Sequence, residues 1–310
     1  MKVAVLKGGR SLERGVSLRS AARVEDALER LGHEVLPLDA GPDLVRRLSE
    51  ERPDVAFVAM HGVGGEDGTA QELLEILDIP FTGPGVAACA RCMDKALAKD
   101  ALREGGVPTP DWFAFNQTAF RELGAADALG RLEQGLGFPL VVKPSRGGSS
   151  LGVKFAGGPA EVPQALIAAF SYDDRVLLER FIDGRELAVS VLGDEALPVV
   201  EAIPAEGDSY DFEARYEIGR TRFVCPADLS EQESGAVTDT ALAAYRALGC
   251  SGFARIDLIL AESGPQVLEA NAIPGLTDTS LLPQAAEAAG ISFETLVERI
   301  LDLALKPATA

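Results

Sequence analysis

The chain of 310 residues is 47% hydrophobic and 25% charged, an ordinary globular composition with ample apolar material for a core. At roughly 150 residues per domain, that length suits two domains or three small ones. The formal charge of −19, from 48 acidic against 29 basic residues, argues against a nucleic-acid partner, because phosphate backbones require a net basic face.

A phosphate ligand is still compatible with this charge if a few Lys and Arg side chains gather in one cleft. The apolar run in MKVAVLKGG is too short for a signal peptide, and no run approaches the roughly 18 apolar residues of a membrane span. A cytoplasmic protein with no membrane partner is expected.

In chain order, KVAVL (2–6) is a predicted strand and SLRSAARVEDALERLG (17–32) a helix ending at Gly32. HEVLPLD (33–39) is a second strand, and DVAFVAMH (54–61) is a continuous apolar run suited to a strand buried on both faces. DGTAQELLEILD (67–78) is another helix. Such alternation predicts a parallel sheet with helices on its faces, an α/β domain over 1–93. DKALAKDALREGG (94–106) is a helix closed by two glycines, and PTP (108–110) blocks its continuation. FPLVVKP, LGVKFA and RVLLERFI are strands flanking a helix at 159–171, giving a second division over 94–182. Beyond it RELAVSVLG, ALPVVEAIP, RTRFVCP, FARIDLILA and PQVLEAN are strands, with helices at 230–248, 280–289 and 292–305. The expected fold is therefore α/β followed by α+β: an N-terminal parallel-sheet domain, then two lobes over 94–182 and 183–310. The polar stretch 205–220 is the candidate for a mobile loop or lid.

Cys89 and Cys92 form a lone CxxC, and His33 and His61 are the only histidines. A zinc site normally needs four ligands, so buried free thiols in a reducing compartment are the better expectation. The segment FARIDLILAESGPQVLEAN carries more chemistry. Arg255 and Asp257 share one face of a strand, and Glu269 and Asn271 share a face of the next. A tight turn pivoting on Ser263 sets Asp257 opposite Glu269 and Arg255 opposite Asn271. Facing carboxylates repel each other. A divalent cation between them turns that repulsion into binding, and oxygen-only ligands suit Mg²⁺, which also takes phosphate oxygens. The same spacing fits a solvated sheet face on which Arg255 neutralises one acid, and a register slip would alter the pairing.

In FPLVVKPSRGGSSLGVKFA, Lys143 ends an apolar strand and a Gly/Ser-rich turn follows. Glycines let such a loop lie close over a phosphate chain with N–H groups and hydroxyls pointing inward, although the segment also reads as a flexible hairpin. No GK[ST] occurs, which excludes a Walker loop, and no GxGxxG follows the first strand, which argues against a dinucleotide fold. Lys95, beside Asp94, Lys99 and Asp100, reads alone as a solvated helix charge. Glu179 and Glu186 are equally plain by themselves, yet a nucleotide site needs an acid for ribose hydroxyls. HGVGGEDG (61–68) is either a turn or a ligand loop at a strand's C-terminal end, where open α/β sheets place ligands.

Eight strings in one order over about 300 residues carry a resemblance. They are GGRSLERGVSLRS, HGVGGEDGTAQ, FTGPGVAACARCMDK, VVKPSRGGSSLGV, LLERFIDGREL, YDFEARY, GFARIDL and LEANAIPGLTDTSLLP. With them the sequence resembles the D-alanine–D-alanine ligase family of ATP-grasp enzymes. The resemblance implies that ATP lies between the second and third divisions and that two D-alanines are joined through an acyl phosphate. It implies two Mg²⁺ ions, with Mn²⁺ as a substitute, on Asp257, Glu269 and Asn271. Glu13 is implied to hold the ammonium of the first D-alanine, with His61 on the same side. Lys95, Lys143, Ser149, Ser150 and Arg215 are implied around the phosphates, Glu179, Phe181 and Ile182 at adenine, and Glu186 at the ribose. Arg255 and the Gly275 N–H are implied as the oxyanion hole, and Ser280 and the Leu281 N–H as the seat of the second carboxylate. Tyr216 is implied to close the loop over Ser149 and to favour an amine as second substrate. Arg215 departs from the lysine usual there, offering a planar fork in place of a compact ammonium. A homodimer is implied as well.

Overall fold

No residue of the run Val3–Leu6 has exposed surface, which requires a strand covered on both faces. In the computed structural model, which describes residues 1–124, 129–204 and 221–306, that run forms β1 (Lys2–Lys7). It lies between β2 (Glu34–Asp39) and β3 (Val55–Val58), and all three are parallel. Helices α1 (Arg14–Arg30) and α2 (Leu44–Glu51) supply the crossovers, and α3 (Thr69–Ile76) follows β3. β3 stops at Val58, four residues into the predicted strand, and Ala59 to His61 run on, buried, into the loop. Two helices in this region go beyond the sequence reading. α2 buries Leu44 and Leu48 four apart, and α4 (Val86–Met93) buries Cys89 and Cys92 three apart. All four cysteines are free, Cys89 and Cys92 buried as expected but Cys225 and Cys250 only partly so, and Cys92 Sγ lies 3.6 Å from Cys250 Sγ.

The second region opens with α5 (Lys95–Glu104), whose N-cap Asp94 accepts from the N–H groups of Ala96 and Leu97. β4 (Trp112–Asn116), α6 (Gln117–Glu122), α7 (Leu129–Leu136), β5 (Leu140–Pro144), β6 (Lys154–Ala156), α8 (Val162–Ala169) and β7 (Arg175–Arg180) follow. The strands form an antiparallel sheet in the order β4-β7-β5-β6. Leu140, Val142, Val176 and Leu178 pack on α8 residues Val162, Ala165, Leu166 and Ala169. The period of two then turns Val141, Lys143, Leu177 and Glu179 to the other face. Edge strand β4 pairs with β7 alone, and its mixed WFAFN pattern gave no alternation to read.

The third region contains β8 (Arg185–Leu192), β9 (Glu195–Ala196), β10 (Val200–Pro204), β11 (Thr221–Val224), α9 (Glu231–Ala247), β12 (Phe253–Ala261), β13 (Gly264–Asn271), α10 (Leu281–Ala288) and α11 (Phe293–Leu305). Its sheet runs β11-β10-β8-β12-β13, with β9 beside β8. Val189, Val191, Ala254 and Ile256 belong to the same core as Val237, Ala241 and Ala244 of α9, which leaves Arg255 and Asp257 on the opposite face. α11 packs on α1, joining the third region to the first.

The β12–β13 hairpin has the expected pairs, Asp257 opposite Glu269 and Arg255 opposite Asn271, by a different route. Ala261 pairs with Gly264, so the turn is the two residues Glu262 and Ser263 and not a pivot on Ser263. A bulge between Asp257 and Leu258 leaves Leu268 as the extra residue and restores the register beyond it. Without that bulge Glu269 would face the core.

Candidate active site

The two antiparallel sheets turn polar faces toward one cleft, and two cavities occupy it. The larger, of about 210 Å³, is lined among others by Lys143, Ser150, Glu179, Phe181, Ile182, Glu186 and Asp257. The smaller, of about 70 Å³, is lined by Glu13, His61, Ser149, Arg255, Asn271, Gly275 and Ser280 among others. Lys95, Gly147, Gly148, Glu269 and Leu281 line both, so the cavities share a wall. Every site residue expected from the sequence therefore borders one cavity or the other, except Arg215 and Tyr216, which lie with loop 205–220 outside the described residues.

Lys95 is not the solvated helix charge that it resembles in isolation. It is 8% exposed, donates to Gly147 O at 2.7 Å and lies 3.3 Å from Glu269 Oε2. What fixes it is Asp94, which caps α5, accepts from Ser145 Oγ at 2.8 Å and faces Arg175 and Arg146. Burial pushes the Asp94 carboxyl up, but the Ser145 hydroxyl, the Leu97 N–H and the two guanidiniums outweigh it and hold it below its ordinary range. Glu179 is buried between two ammoniums, 2.8 Å from Lys143 and 2.5 Å from Lys99. Desolvation again pushes upward, and again the neighbouring lysines win, so the carboxyl stays ionised.

The Gly/Ser turn between β5 and β6 folds inward through Ser149 and Ser150, both left-handed with φ of 55° and 56°. Held in that uncommon backbone region, Ser149 donates its hydroxyl proton to Glu13 Oε1 and so ties the turn to the start of α1. A Cβ on Gly148 would stand 3.1 Å from a Glu13 carboxylate oxygen, so glycine allows this approach. Glu13 is braced in turn by Ser11, whose Oγ takes its N–H at 2.9 Å and donates to His61 O at 2.7 Å. The His61 ring is within hydrogen-bond reach of Ser20 Oγ, Ile273 O and Glu66 Oε1. Desolvation raises the Glu66 carboxyl above its usual range, with the His61 contact opposing it. Ser20 also accepts the Leu276 N–H at 3.1 Å, so α1 holds the loop that leads to α10.

On the hairpin, Arg255 donates Nε to Asp257 Oδ1 at 2.6 Å and Nη2 to Oδ2 at 2.7 Å, a bidentate pair. Arg255 thus does neutralise one acid, but on a face that is only 7% exposed at that residue rather than solvated. The donors that could hold a hard cation are Asp257, Glu269 and Asn271, all oxygen. Among the described residues no cluster of three or more His, Cys, Asp or Glu is placed to hold a metal ion. Ser280 stands at the N-cap position of α10 without a side-chain cap bond, and Leu281 opens its first turn, where free N–H groups favour an anion. Gly275 stands so close that a Cβ there would meet Ser280 Oγ at 2.7 Å.

Sequence reasoning passed over Lys99, Asp94, Glu66 and Ser20. Lys99 carried a signal in its spacing of four from Lys95 on one helix face, and Asp94 in its N-cap position before that helix. Among the described residues no helix is long and apolar enough to cross a membrane.

Comparison with known proteins agrees with this geometry. Residues 101–302 match the family described as D-ala D-ala ligase C-terminus, and residues 40–84 its N-terminus. A D-alanine–D-alanine ligase from Syntrophotalea carbinolica is 45% identical over 97% of this chain and 95% of its own. The structure of D-alanine–D-alanine ligase from Bacillus anthracis complexed with ATP superposes with a TM-score of 0.83 at 34% identity, covering 98% of this chain and 97% of that one. The VanG D-Ala:D-Ser ligase from Enterococcus faecalis gives 0.83 at 27% identity, covering 98% and 99%. Coverage is end to end in each, and the expected two-lobed ATP-grasp architecture after a parallel-sheet domain is the shared one. With the expected site residues lining two adjoining cavities and 97–98% of its length matched, this chain belongs to the D-alanine–D-alanine ligase family.

Proposed function

We propose that the chain ligates two D-alanines to D-alanyl-D-alanine, converting ATP to ADP and phosphate, to supply a peptidoglycan precursor. The observation that carries this reading is the shared wall of the two cavities. Chemistry that moves a phosphoryl group from a nucleotide to an amino-acid carboxylate needs two adjoining pockets, one for each reactant.

In this reading ATP fills the larger cavity, with adenine at Glu179, Phe181 and Ile182, ribose at Glu186, and phosphates near Lys95, Lys143 and Ser150. The first D-alanine fills the smaller cavity, its ammonium held by Glu13 and its position bounded by His61. Its carboxylate oxygen attacks the γ-phosphorus at the common wall, ADP leaves, and an acyl phosphate forms. The second D-alanine, its carboxylate at Ser280 and the Leu281 N–H, attacks the acyl carbonyl through its free amine. The oxygen charge that develops is met by Arg255 and the Gly275 N–H, and phosphate departs. Asp257, Glu269 and Asn271, an oxygen-only set with two carboxylates facing across a ladder, fit two Mg²⁺ ions, or Mn²⁺, which would screen the triphosphate charge when bound. Arg215 and Tyr216 are proposed to complete the γ-phosphate contacts and to close the site with Ser149, excluding water from the acyl phosphate. The resemblance also supports a cytoplasmic homodimer with divisions at 1–93, 94–182 and 183–310.

Phosphate release from ATP, followed with and without D-alanine, tests the proposal. Release that depends on D-alanine and matches dipeptide formation is expected. Release supported only by D-serine or D-lactate as second substrate would move the chain to a variant specificity, and no release with any of them would overturn the reading.

A further inference from the structure

One lysine near the larger cavity never reaches it. Lys99 has no exposed surface and lines neither cavity. Its ammonium lies 2.5 Å from Glu179 Oε2 and donates to Thr109 Oγ1 at 2.6 Å and Pro110 O at 3.3 Å, with the Trp112 ring at 5.4 Å. Two of those oxygens accept ammonium protons and the third supplies the opposite charge. Full burial of a charge costs several kcal/mol, and an apolar side chain would fill the same space without that cost. The contacts lead instead to groups that do face the cavities. Glu179 gives one oxygen to Lys99 and the other to Lys143, which lines the larger cavity. Because the carboxylate is shared, the trio keeps one net positive charge. Left to Lys143 alone, Glu179 would neutralise it and leave that part of the cavity wall without net positive charge. On the other side, Thr109 uses its own proton on Val267 O at 2.7 Å, and Val267 returns its N–H to Pro108 O at 2.8 Å. Val267 directly precedes Leu268, the extra residue of the bulge that sets the face of Glu269.

We infer that Lys99 is a positioning residue for the nucleotide: through Glu179 it holds Lys143 at the cavity wall, and through Thr109 it holds the strand that carries Glu269. The identity of the nucleotide rests on the ATP-dependent reading above. Burial pulls the Lys99 ammonium down to about 8, against the upward pull of Glu179 on β7; Lys143 on β5 lowers it further and Asp111 before β4 raises it. The charge is therefore present at neutral pH and fades as the medium becomes alkaline.

The test compares the full-length enzyme with Lys99→Met and Lys99→Arg. It measures the Kd of ADP by calorimetry without amino acid, then the KM values for ATP and D-alanine. Lys99→Met is expected to weaken ADP binding and raise the ATP KM about tenfold or more, with the D-alanine KM and kcat within about threefold. Lys99→Arg, charged at every working pH, is expected to hold the Kd within about threefold of the parent. A merely structural role would lower the active fraction, and hence kcat, and leave both KM values in place. The parent's ADP Kd should weaken between about pH 7 and about pH 9, and that of Lys99→Arg should vary less. An unchanged Kd in Lys99→Met overturns the inference. Should that variant fail to fold, a flat parent profile across the same range overturns it instead. A parent that shows the Kd shifts yet no D-alanine-dependent phosphate release sinks the ligase reading and leaves Lys99 its role.

Discussion

Each cavity holds a largely buried glutamate, and the two are held in opposite ways. Glu179, beside the larger cavity, is shared by two ammoniums within 2.8 Å and stays below its ordinary titration range. Glu66, beside the smaller one, has His61 at 3.2 Å as its neighbour and is raised above that range by desolvation. Burial alone therefore says little about a carboxylate; the count and sign of its partners decide. The contrast follows from chain topology. Glu179 and Lys143 are diagonal neighbours on adjacent strands, whereas the smaller cavity is assembled by bonds such as His61 to Ile273 and Ser20 to Leu276, which join the two ends of the chain.

If the smaller cavity is where charge develops and the larger where nucleotide is held, their variants must separate cleanly. The widest separation is expected from Arg255→Ala. Dipeptide turnover should fall about 10³-fold, with ATP affinity within a few-fold of the parent, because an oxyanion donor acts in the transition state. Near-normal turnover would remove Arg255 from the site. Glu179→Gln should do the reverse. It leaves two buried ammoniums without their counter-charge, so unfolding stability should drop by about 3 kcal/mol and nucleotide affinity should fall with it. Urea unfolding with and without ADP measures both. Glu13→Gln should raise the KM for the first D-alanine about tenfold, the loss of one charge-assisted contact, with the ATP KM unchanged.

The smallest effect concerns pH and has opposite signs in the two regions. For Glu66 the folded carboxyl keeps its proton to higher pH than the unfolded one, so stability falls as pH rises above the ordinary value of 4.5. Glu66→Gln removes that slope and should be as stable as the parent, or more so, at about pH 8. For Glu179 the folded carboxyl loses its proton first, so its contribution is in place above 4.5 and is lost as pH falls through the depressed value. Equal pH slopes in the two variants would erase the distinction between the cavities.

Much of this was legible in the chain. Alternation placed the strands, and Arg255, Asp257, Glu269 and Asn271 announced themselves by a period of two on adjoining strands. The pairing was right although the turn was not, because a bulge at Leu268 compensated for a two-residue turn. Helices α2 and α4 were missed since LVRRLSEE has few apolar residues to show a period and VAACARCM is apolar nearly all round, so neither shows a face. Lys95 read as a solvent charge and Lys99 drew no reading of its own, because a helix shows its spacing in sequence, while what covers each face comes from elsewhere in the chain.

Composition and local pattern by themselves determined the parallel-sheet start, most of the strand positions in the two lobes and the acidic hairpin, since each is read from residues a few positions apart. Only the tertiary structure decided that Glu179 lies between two buried lysines, that Ser149 reaches Glu13 and that α1 fastens the loop before α10. Those are contacts across 36, 136 and 256 residues. No local propensity specifies such distances; the packing of strands, helices and loops from distant parts of the chain does.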